Sequence, residues 1–203
     1  MVQERVNAYF EVLSTLQTAT EATDFSGHVL SLGAAFDRAI GIARSATAAG
    51  GKLMIVGNGG SAGIASHLAI DFSKNGGMSA MAFNDPAALT CLGNDLGYEN
   101  VFAAQIGFHA RPGDLLVAIS SSGRSPNILK AVAAARERDC GILTLSGFDA
   151  GNPLRRAGDV NLYVPSTSYG FVEVSHLALC HALLDLAMGW TPKDGPAGPG
   201  AAG

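Results

Sequence analysis

The chain is poor in charged residues. Only 15% of its 203 residues are charged, 48% are hydrophobic, and the formal net charge is −4. No cluster of lysine and arginine occurs in the sequence, which argues against nucleic acid as a main partner. Because so few charges leave little polar surface for a solitary domain, we expect other copies of the chain to cover part of that surface.

Cysteines are few and long apolar runs are missing. Cys91, Cys140 and Cys180 stand far apart and form no C-x-x-C pair, which fits reduced thiols in the cytoplasm better than a disulfide framework. No run approaches the roughly 18 consecutive apolar residues of a membrane span, so we predict no membrane association. The amino terminus is amphipathic and carries Glu4, which is not typical of a signal peptide.

Apolar runs and helical patterns alternate along most of the chain. Two amphipathic helices are predicted first, at about 2–20 and, after a cap at Ser26, at about 27–48. Five short apolar runs then alternate with helices, and the predicted strands are 52–56, 79–83, 115–120, 141–146 and 160–164. This alternation predicts an α/β fold with a doubly wound, mostly parallel, five-stranded sheet flanked by helices.

The length favours one domain, which we predict over residues 1–190. Residues 1–50 would form a helical extension used in packing or oligomerisation, because they precede the first predicted strand and cannot be crossover helices. Residues 191–203 are rich in Pro, Gly and Ala, and we predict that they form a disordered tail.

Two loops with many small polar residues follow predicted strands. The first, Gly57–Ala62, is neither a P-loop nor a G-x-G-x-x-G motif, and a tight strand-to-helix connection explains it equally well. The second, Ser120–Ser125, has four serines in six residues, which supply hydroxyl and backbone donors to a phosphate. Arg124 either adds charge there or points into solvent. Because ligands of such sheets bind beyond the carboxyl ends of the strands, the loops predict a phosphorylated or polyhydroxylated ligand.

Titratable side chains recur on two predicted helices. His67 and Asp71 stand four residues apart and share a helix face, as a surface hydrogen-bonded pair also would. Glu173 and His181 lie in an apolar final helix, offset by roughly 80° around its axis, so they are able to face one cavity. These four groups suit a divalent metal such as zinc, and they equally suit proton transfer beside a carbonyl. We interpret His176 as packed or interfacial.

Together these motifs resemble a known family. They are Gly57-Asn58-Gly59-Gly60-Ser61, His67, Asp71, Gly93-Asn94-Asp95, Ser120-Ser121-Ser122-Gly123-x-Ser125, Glu173 and His181. The chain resembles the sugar-isomerase (SIS) family over about residues 1–190, and within it the phosphoheptose (sedoheptulose 7-phosphate) isomerases. The resemblance implies the SIS fold, a phosphorylated sugar as substrate, and homotetramers whose active sites include residues from neighbouring subunits.

The resemblance also implies a role for each motif. The substrate phosphate would be held by Ser120, Ser121, Ser122 and Ser125. The sugar would be bound by Asn58, Gly59, Gly60, Ser61, Asn94, Asp95 and Glu173. Asp71 would be the catalytic base and His181 its acid/base partner. In several members of the family the matching groups bind zinc, which implies a metal site at His67, Asp71, Glu173 and His181.

Several positions depart from the family pattern, and all lie on the sugar side of the expected site. Asp71 stands where the family has a glutamate, and Glu173 where it has a glutamine, so the site is more anionic and favours a divalent metal. Gly170-Phe171 replaces an Asp-Arg pair. An arginine expected shortly after the base is missing, with Lys74 and Asn75 nearby. A phosphosugar is therefore the firmer prediction, and seven carbons the less firm one.

Three functions remain open from the sequence. The main hypothesis is a cytoplasmic ketose–aldose isomerase, acting on sedoheptulose 7-phosphate or a close long-chain ketose phosphate through an enediol(ate). The second is an isomerase of a different sugar phosphate. The third is a non-catalytic SIS protein that binds a sugar phosphate or a partner, like the bacterial factor that associates with the replication initiator DnaA. Because His67, Asp71 and His181 are all present, an enzyme is favoured.

Overall fold

A seven-stranded sheet forms the centre of the molecule. The computed structural model describes residues 1–197. The strands are β1 Glu21–Asp24, β2 Val29–Leu30, β3 Leu53–Gly57, β4 Ala80–Ala82, β5 Leu115–Ser120, β6 Gly141–Ser146 and β7 Val160–Tyr163. Their order across the sheet is β2-β1-β7-β6-β5-β3-β4. The five strands from β7 to β4 run parallel, whereas β1 is antiparallel to both of its neighbours.

Helices cover both faces of this sheet. The α-helices are α1 Val2–Thr18, α2 Leu32–Ala48, α3 Gly60–Lys74, α4 Pro86–Leu96, α5 Val101–His109, α6 Pro126–Glu137 and α7 Tyr169–Ala187. Short 3-10 helices lie at Tyr98–Asn100, Pro153–Arg156 and Gly195–Ala197. This is the predicted doubly wound α/β fold, in which helices connect neighbouring parallel strands.

The central strands are apolar on both faces. In β3, Leu53 and Ile55 face the core formed with α2, α3 and α7, whereas Met54 and Val56 face the core formed with α5 and α6. Successive side chains of a strand point to opposite faces, so a strand covered on both sides has an uninterrupted apolar sequence. For this reason β3, β5 and β6 could be predicted from their composition, whereas the edge strand β4 has no fully buried residue.

The prediction of five strands was wrong by two. A hairpin was missed: β1 lies between the two predicted helices, and β2 lies where the second helix was predicted to begin. Strand β1 pairs with β7 and so extends the sheet. Helix α2 begins at Leu32, not at residue 27, because the Ser31 side chain accepts a hydrogen bond from the Ala34 N–H at 3.2 Å. Segment 1–50 is therefore not wholly helical, since its hairpin extends the sheet.

Two helices carry apolar surface beyond the core. In the described part of the chain, α7 is the one helix long and apolar enough by composition to cross a membrane, but it packs its buried side, including Leu179 and Leu183, into the core. Helix α1 has no buried residue and exposes Val6 and Phe10.

Part of the predicted disordered tail is ordered. Residues 191–197 form turns and a 3-10 helix, and residues 198–203 lie outside the described residues.

Candidate active site

The serine loop is fixed by its own hydrogen bonds and by one neighbour. It follows β5 and curls so that the Gly123 N–H donates to the Ser120 carbonyl oxygen at 3.0 Å, with Ser120 Oγ at 3.2 Å. Ser120 Oγ and Ser125 Oγ lie 3.3 Å apart. Gly123 has φ +62°, and a Cβ there would lie 1.9 Å from Asn152 Oδ1. Only glycine fits this position, so the close contact between the serine loop and Asn152 depends on Gly123.

The glycine loop lies beside the serine loop, because β3 and β5 are adjacent parallel strands. Gly59 has φ +55° and precedes α3, so this helix begins directly beyond the carboxyl end of β3. Asn58 exchanges two side-chain hydrogen bonds with Asn127, at 2.9 and 2.8 Å. The Tyr98 hydroxyl also donates to Asn58 Oδ1, at 3.1 Å. These contacts fix the loop to α6 and to the segment after α4.

A cavity of about 290 Å³ separates the two loops. Nine of the predicted substrate residues line it: Asn58, Gly59, Gly60, Ser61, Ser120, Ser121, Ser122, Ser125 and Glu173. Ile119 and Tyr169 line it as well, although neither belongs to a recognisable motif. Among its described lining residues there is no lysine or arginine, so an anion would be held by hydroxyls, backbone N–H groups and the start of α3.

The one charged residue of the serine loop, Arg124, points away from the cavity. Arg124 forms an exposed ion pair with Asp149. Hydrogen bonding from the Gly151 N–H, followed by that from Arg124, lowers the pKa of the Asp149 carboxyl below its usual value. More than half of each side chain is exposed. Because an exposed ion pair is only weakly stabilising, this contact contributes little to the stability of the loop.

The predicted acid/base residues meet between α3 and α7. His67 Nε2 lies 3.2 Å from Asp71 Oδ2, and His181 Nδ1 lies 3.8 Å from the same oxygen. One ligand atom from each of the three residues lies within 4.8 Å of the others. The side chains are 52%, 18% and 36% exposed, in chain order. Two imidazoles and a carboxylate with open space around them are the donor set of a catalytic zinc site, so these residues fit a divalent cation.

Other predicted site residues lie away from this cluster. Glu173 packs its carboxylate against Gly60, where an added Cβ would lie 2.5 Å from Oε2. Glu173 and His181 are eight residues apart on α7, which separates them by about 12 Å along the axis. Helices α3 and α7 run in the same direction. Gly60 and Glu173 therefore lie near the start of this helix pair, and Asp71 and His181 lie further along it. The angle around the helix axis predicted that Glu173 and His181 face one cavity, but the distance along the axis separates them.

Asn94 and Asp95 are outside the cavity lining. They lie near the end of α4, where both are at least partly exposed and Asn94 Nδ2 donates to Asp95 Oδ1 at 2.8 Å. The nearby Tyr98 is the residue of this region that reaches the glycine loop. In a single copy of the chain, Asn94 and Asp95 therefore contact each other and not the cavity.

His176 is buried, as one of its two interpretations predicts. Its side chain is fully enclosed, and Nε2 lies 3.1 Å from the Ser146 carbonyl oxygen. Burial lowers the pKa of His176 to about 4, so the ring is neutral near pH 7 and Nε2 donates to this oxygen. Ser146 is the register partner of Ser120, which places His176 beneath the serine loop as a structural residue.

The fold and these loops define a class of protein. The family model "SIS domain" matches residues 21–147, and the chain belongs to this family. Its relatives include the phosphoheptose isomerase of Rhodospirillum rubrum, which is 39% identical over 158 residues, or 75% of this chain and 84% of the relative. The resemblance stated from the motifs is thus confirmed.

Solved structures agree with this assignment. The phosphoheptose isomerase of Neisseria gonorrhoeae superposes with a TM-score of 0.78 at 34% identity, covering 92% of this chain and 99% of the other. The phosphoheptose isomerase of Francisella tularensis gives the same TM-score at 28% identity, covering 92% and 98%. The chain is therefore a phosphosugar isomerase by family and fold.

Proposed function

We propose that the chain is a ketose–aldose isomerase acting on sedoheptulose 7-phosphate or a close long-chain ketose phosphate. The observation that supports this most is the approach of His181 Nδ1 to Asp71 Oδ2, 3.8 Å apart. This carboxylate–imidazole pair lies between the same two helices, α3 and α7, whose first turns reach the cavity between the two loops. The relatives carry the name phosphoheptose isomerase, which favours a seven-carbon substrate.

The proposed chemistry uses one carboxylate and one imidazole. Asp71 takes a proton from the carbon beside the ketose carbonyl, and the released electron pair forms the carbon–carbon double bond of an enediol(ate). The carbonyl oxygen accepts a proton from His181 as this happens. Asp71 then returns its proton to the former carbonyl carbon, while the hydroxyl on the first carbon gives its proton back to His181 and becomes the carbonyl of the aldose. Positioned acid/base groups of this kind typically accelerate proton transfer by about 10²–10⁴-fold.

A divalent cation, zinc in our proposal, would be held by His67, Asp71 and His181. When bound, it would polarise the substrate oxygens and stabilise negative charge on them. Glu173 is the fourth ligand implied by the resemblance, but about 12 Å of helix axis separates it from His181. If Glu173 completes a metal site, that site therefore belongs to a neighbouring copy of the chain. Within its own copy, Glu173 would contact the sugar.

The substrate phosphate would occupy the part of the cavity that the serine loop lines, which we call the serine pocket. The sugar hydroxyls would extend past the glycine loop toward Asp71. Glu173 would accept hydrogen bonds from those hydroxyls. Asn94 and Asp95 would contact the far end of the sugar after a local rearrangement, or the sugar of a neighbouring copy. This orientation follows from the axial separation of the serine pocket and the catalytic pair along α3.

We also propose a cytoplasmic homotetramer. Exposed Val6 and Phe10 on α1, together with the apolar α7 beside it, supply the surface that other copies would cover. An apolar surface of this kind is typical of obligate interfaces. The three cysteines are free, with Cys140 and Cys180 buried, which supports a reducing compartment.

The test is turnover of ketose phosphates with six, seven and eight carbons. We expect the seven-carbon substrate to have the highest kcat/KM, and Asp71→Asn to lower its kcat by at least about 100-fold, because an amide cannot accept the proton. Asp37→Asn, the same change at an exposed position of α2, is the matched control and should keep full activity. Normal turnover by Asp71→Asn would remove Asp71 as the base. Failure of the wild type with every sugar, combined with capture of a specific protein partner, would favour the non-catalytic alternative.

A further inference from the structure

Tyr169 borders the cavity without a role in the chemistry described so far. It is the first residue of α7 and lines the space shared by the two loops. It is 64% exposed, and within residues 1–197 its hydroxyl has no hydrogen-bond partner. A tyrosine combines a large apolar ring with one strong donor, and such donors are used in binding sites to fix the orientation of a ligand.

The residue that contacts Tyr169 has an unusual backbone. Phe148 has φ +59°, in the left-handed region that is costly for a bulky side chain. Three hydrogen bonds keep it there. The Phe148 N–H donates to the Ser166 carbonyl oxygen at 2.9 Å, Tyr163 Oη donates to the Phe148 carbonyl oxygen at 3.0 Å, and the preceding Gly147 N–H donates to the Ser121 carbonyl oxygen at 3.0 Å. Burial raises the pKa of Tyr163, so its phenol stays protonated as a donor.

This strained conformation has a visible result. The rings of Phe148 and Tyr169 meet edge to face, with centroids 4.8 Å apart and planes at 82°, which is a favourable arrangement for an aromatic pair. Phe148 itself packs against the main core. The Phe148 ring thus supports the Tyr169 ring. The segment that contains Phe148 is also hydrogen-bonded to the serine loop, through Gly147 and Ser121. Strain of this type is found mainly where surrounding structure maintains it for a functional reason.

We propose that Tyr169 is a substrate-binding residue that closes the phosphate pocket, and that Phe148 is a positioning residue that holds the Tyr169 ring there. The hydroxyl would donate to a phosphate oxygen, and the ring would exclude water from one side of the phosphate. Because no lysine or arginine lines the described cavity, an additional neutral donor has a measurable effect on an anion. This inference rests on the proposed function of the cavity as a sugar-phosphate site.

The hydroxyl and the ring can be tested separately. Tyr169→Phe should raise the Kd for inorganic phosphate, measured by calorimetry, and the KM for sedoheptulose 7-phosphate by about 2- to 10-fold, as expected for one lost neutral hydrogen bond. Tyr169→Ala should raise both further, while kcat changes less than about twofold in either variant. Tyr9→Phe is the matched control, because Tyr9 stacks on Phe171 with centroids 4.5 Å apart and does not line this cavity. It should leave both constants unchanged.

Phe148 allows a test that separates positioning from stability. Phe148→Ala and Phe148→Gly both remove the supporting ring, but only glycine relieves the strain at φ +59°. We expect Phe148→Gly to melt at a higher temperature than Phe148→Ala, and both to raise the KM by the same factor of about 2 to 5. A KM that follows the melting temperature instead would show a purely structural role and overturn the positioning claim.

The outcomes distinguish this inference from the proposed function. If the wild type binds phosphate and turns over the sugar, but the Tyr169 variants match it, the inference fails alone. If the wild type binds phosphate and the Tyr169 variants bind it weakly, but no sugar is isomerised, the inference stands and the proposed function fails. If the wild type binds no phosphate, both are overturned.

Discussion

The two ends of the proposed site are built differently. The serine loop is held by backbone hydrogen bonds, by the Gly123–Asn152 contact and by the buried layer beneath it. The cluster of His67, Asp71 and His181 consists of partly exposed side chains from two helices that contact mainly one another. We infer that the serine loop is preorganised by the fold, whereas the cluster gains its final arrangement from the metal or substrate that binds there. We expect changes in the loop to affect stability and phosphate binding, and changes in the cluster to affect turnover.

The largest effect on stability is expected at Gly123. An alanine would combine a strained φ of +62° with a Cβ 1.9 Å from Asn152 Oδ1, which should lower the free energy of unfolding by about 4 kcal/mol. Denaturant unfolding measures this change. Gly113→Ala is the matched control, because Gly113 has φ +86° but nothing within 4 Å of its Cβ. It should cost only the backbone strain, about 1–2 kcal/mol. Equal costs at the two positions would show that the contact with Asn152 is unimportant.

The next effect concerns pH and the layer beneath the loop. Burial lowers the pKa of His176 from 6.5 to about 4, so between these pH values the unfolded chain binds a proton that the folded chain does not. The stability contributed by the neutral ring is complete above pH 6.5 and falls as the pH is lowered to about 4. At 1.36 kcal/mol per pKa unit, the loss is about 3 kcal/mol.

The measurement is the free energy of unfolding against pH for the wild type and for His176→Gln. The glutamine amide can still donate to the Ser146 carbonyl oxygen but does not titrate, so the difference between the two curves isolates the histidine. We expect the wild type to lose more stability than the variant as the pH falls from 7 to 4. Parallel curves would mean that His176 is protonated in the folded chain without cost.

Metal removal should affect the cluster and not the loop. We expect a chelator to lower kcat by at least tenfold while the Kd for inorganic phosphate changes less than twofold, because the metal ligands and the serine hydroxyls are separate groups. Zinc should restore the activity, and magnesium should not, since imidazole ligands favour zinc over magnesium. Metal analysis of the purified protein gives the starting content. Full activity in a protein shown to be metal-free would contradict the zinc proposal.

The smallest effect is expected at Arg124. Its exposed ion pair with Asp149 lies outside the cavity lining, so Arg124→Gln should change the Kd for inorganic phosphate by less than about twofold at physiological salt. Calorimetry at two ionic strengths measures it. A tenfold loss that disappears at high salt would show that the loop depends on this charge after all.

What the sequence predicts well is local. Both loops and the central strands β3, β5 and β6 were predicted because a strand buried on both faces, followed by a polar turn, can be recognised from a short stretch of sequence. The hairpin was missed because Glu21–Asp24 and Val29–Leu30 are too short to show alternation, and because β1 exists through pairing with β7, about 140 residues away in sequence. The difference lies in whether an element is stabilised by its own residues or by a distant partner.

The same distinction applies to the candidate site. His67 and Asp71 could be paired from their spacing on one helix, and His181 was a candidate because it is a titratable residue in an apolar helix. The separation of Glu173 from the cluster was missed because the angle around the helix axis allows Glu173 and His181 to face one cavity, whereas eight residues of helix also advance by about 12 Å along it. Tyr169 carried no motif signal, since its importance comes from Phe148 and from the cavity it faces.

The central claim is that Asp71 removes a proton from the carbon beside the ketose carbonyl. The most direct measurement is deuterium exchange at that carbon of sedoheptulose 7-phosphate in heavy water, followed by NMR. The wild type should introduce deuterium, and Asp71→Asn should lose this exchange by at least about 100-fold while still binding inorganic phosphate. Exchange by Asp71→Asn at the wild-type rate would contradict the account.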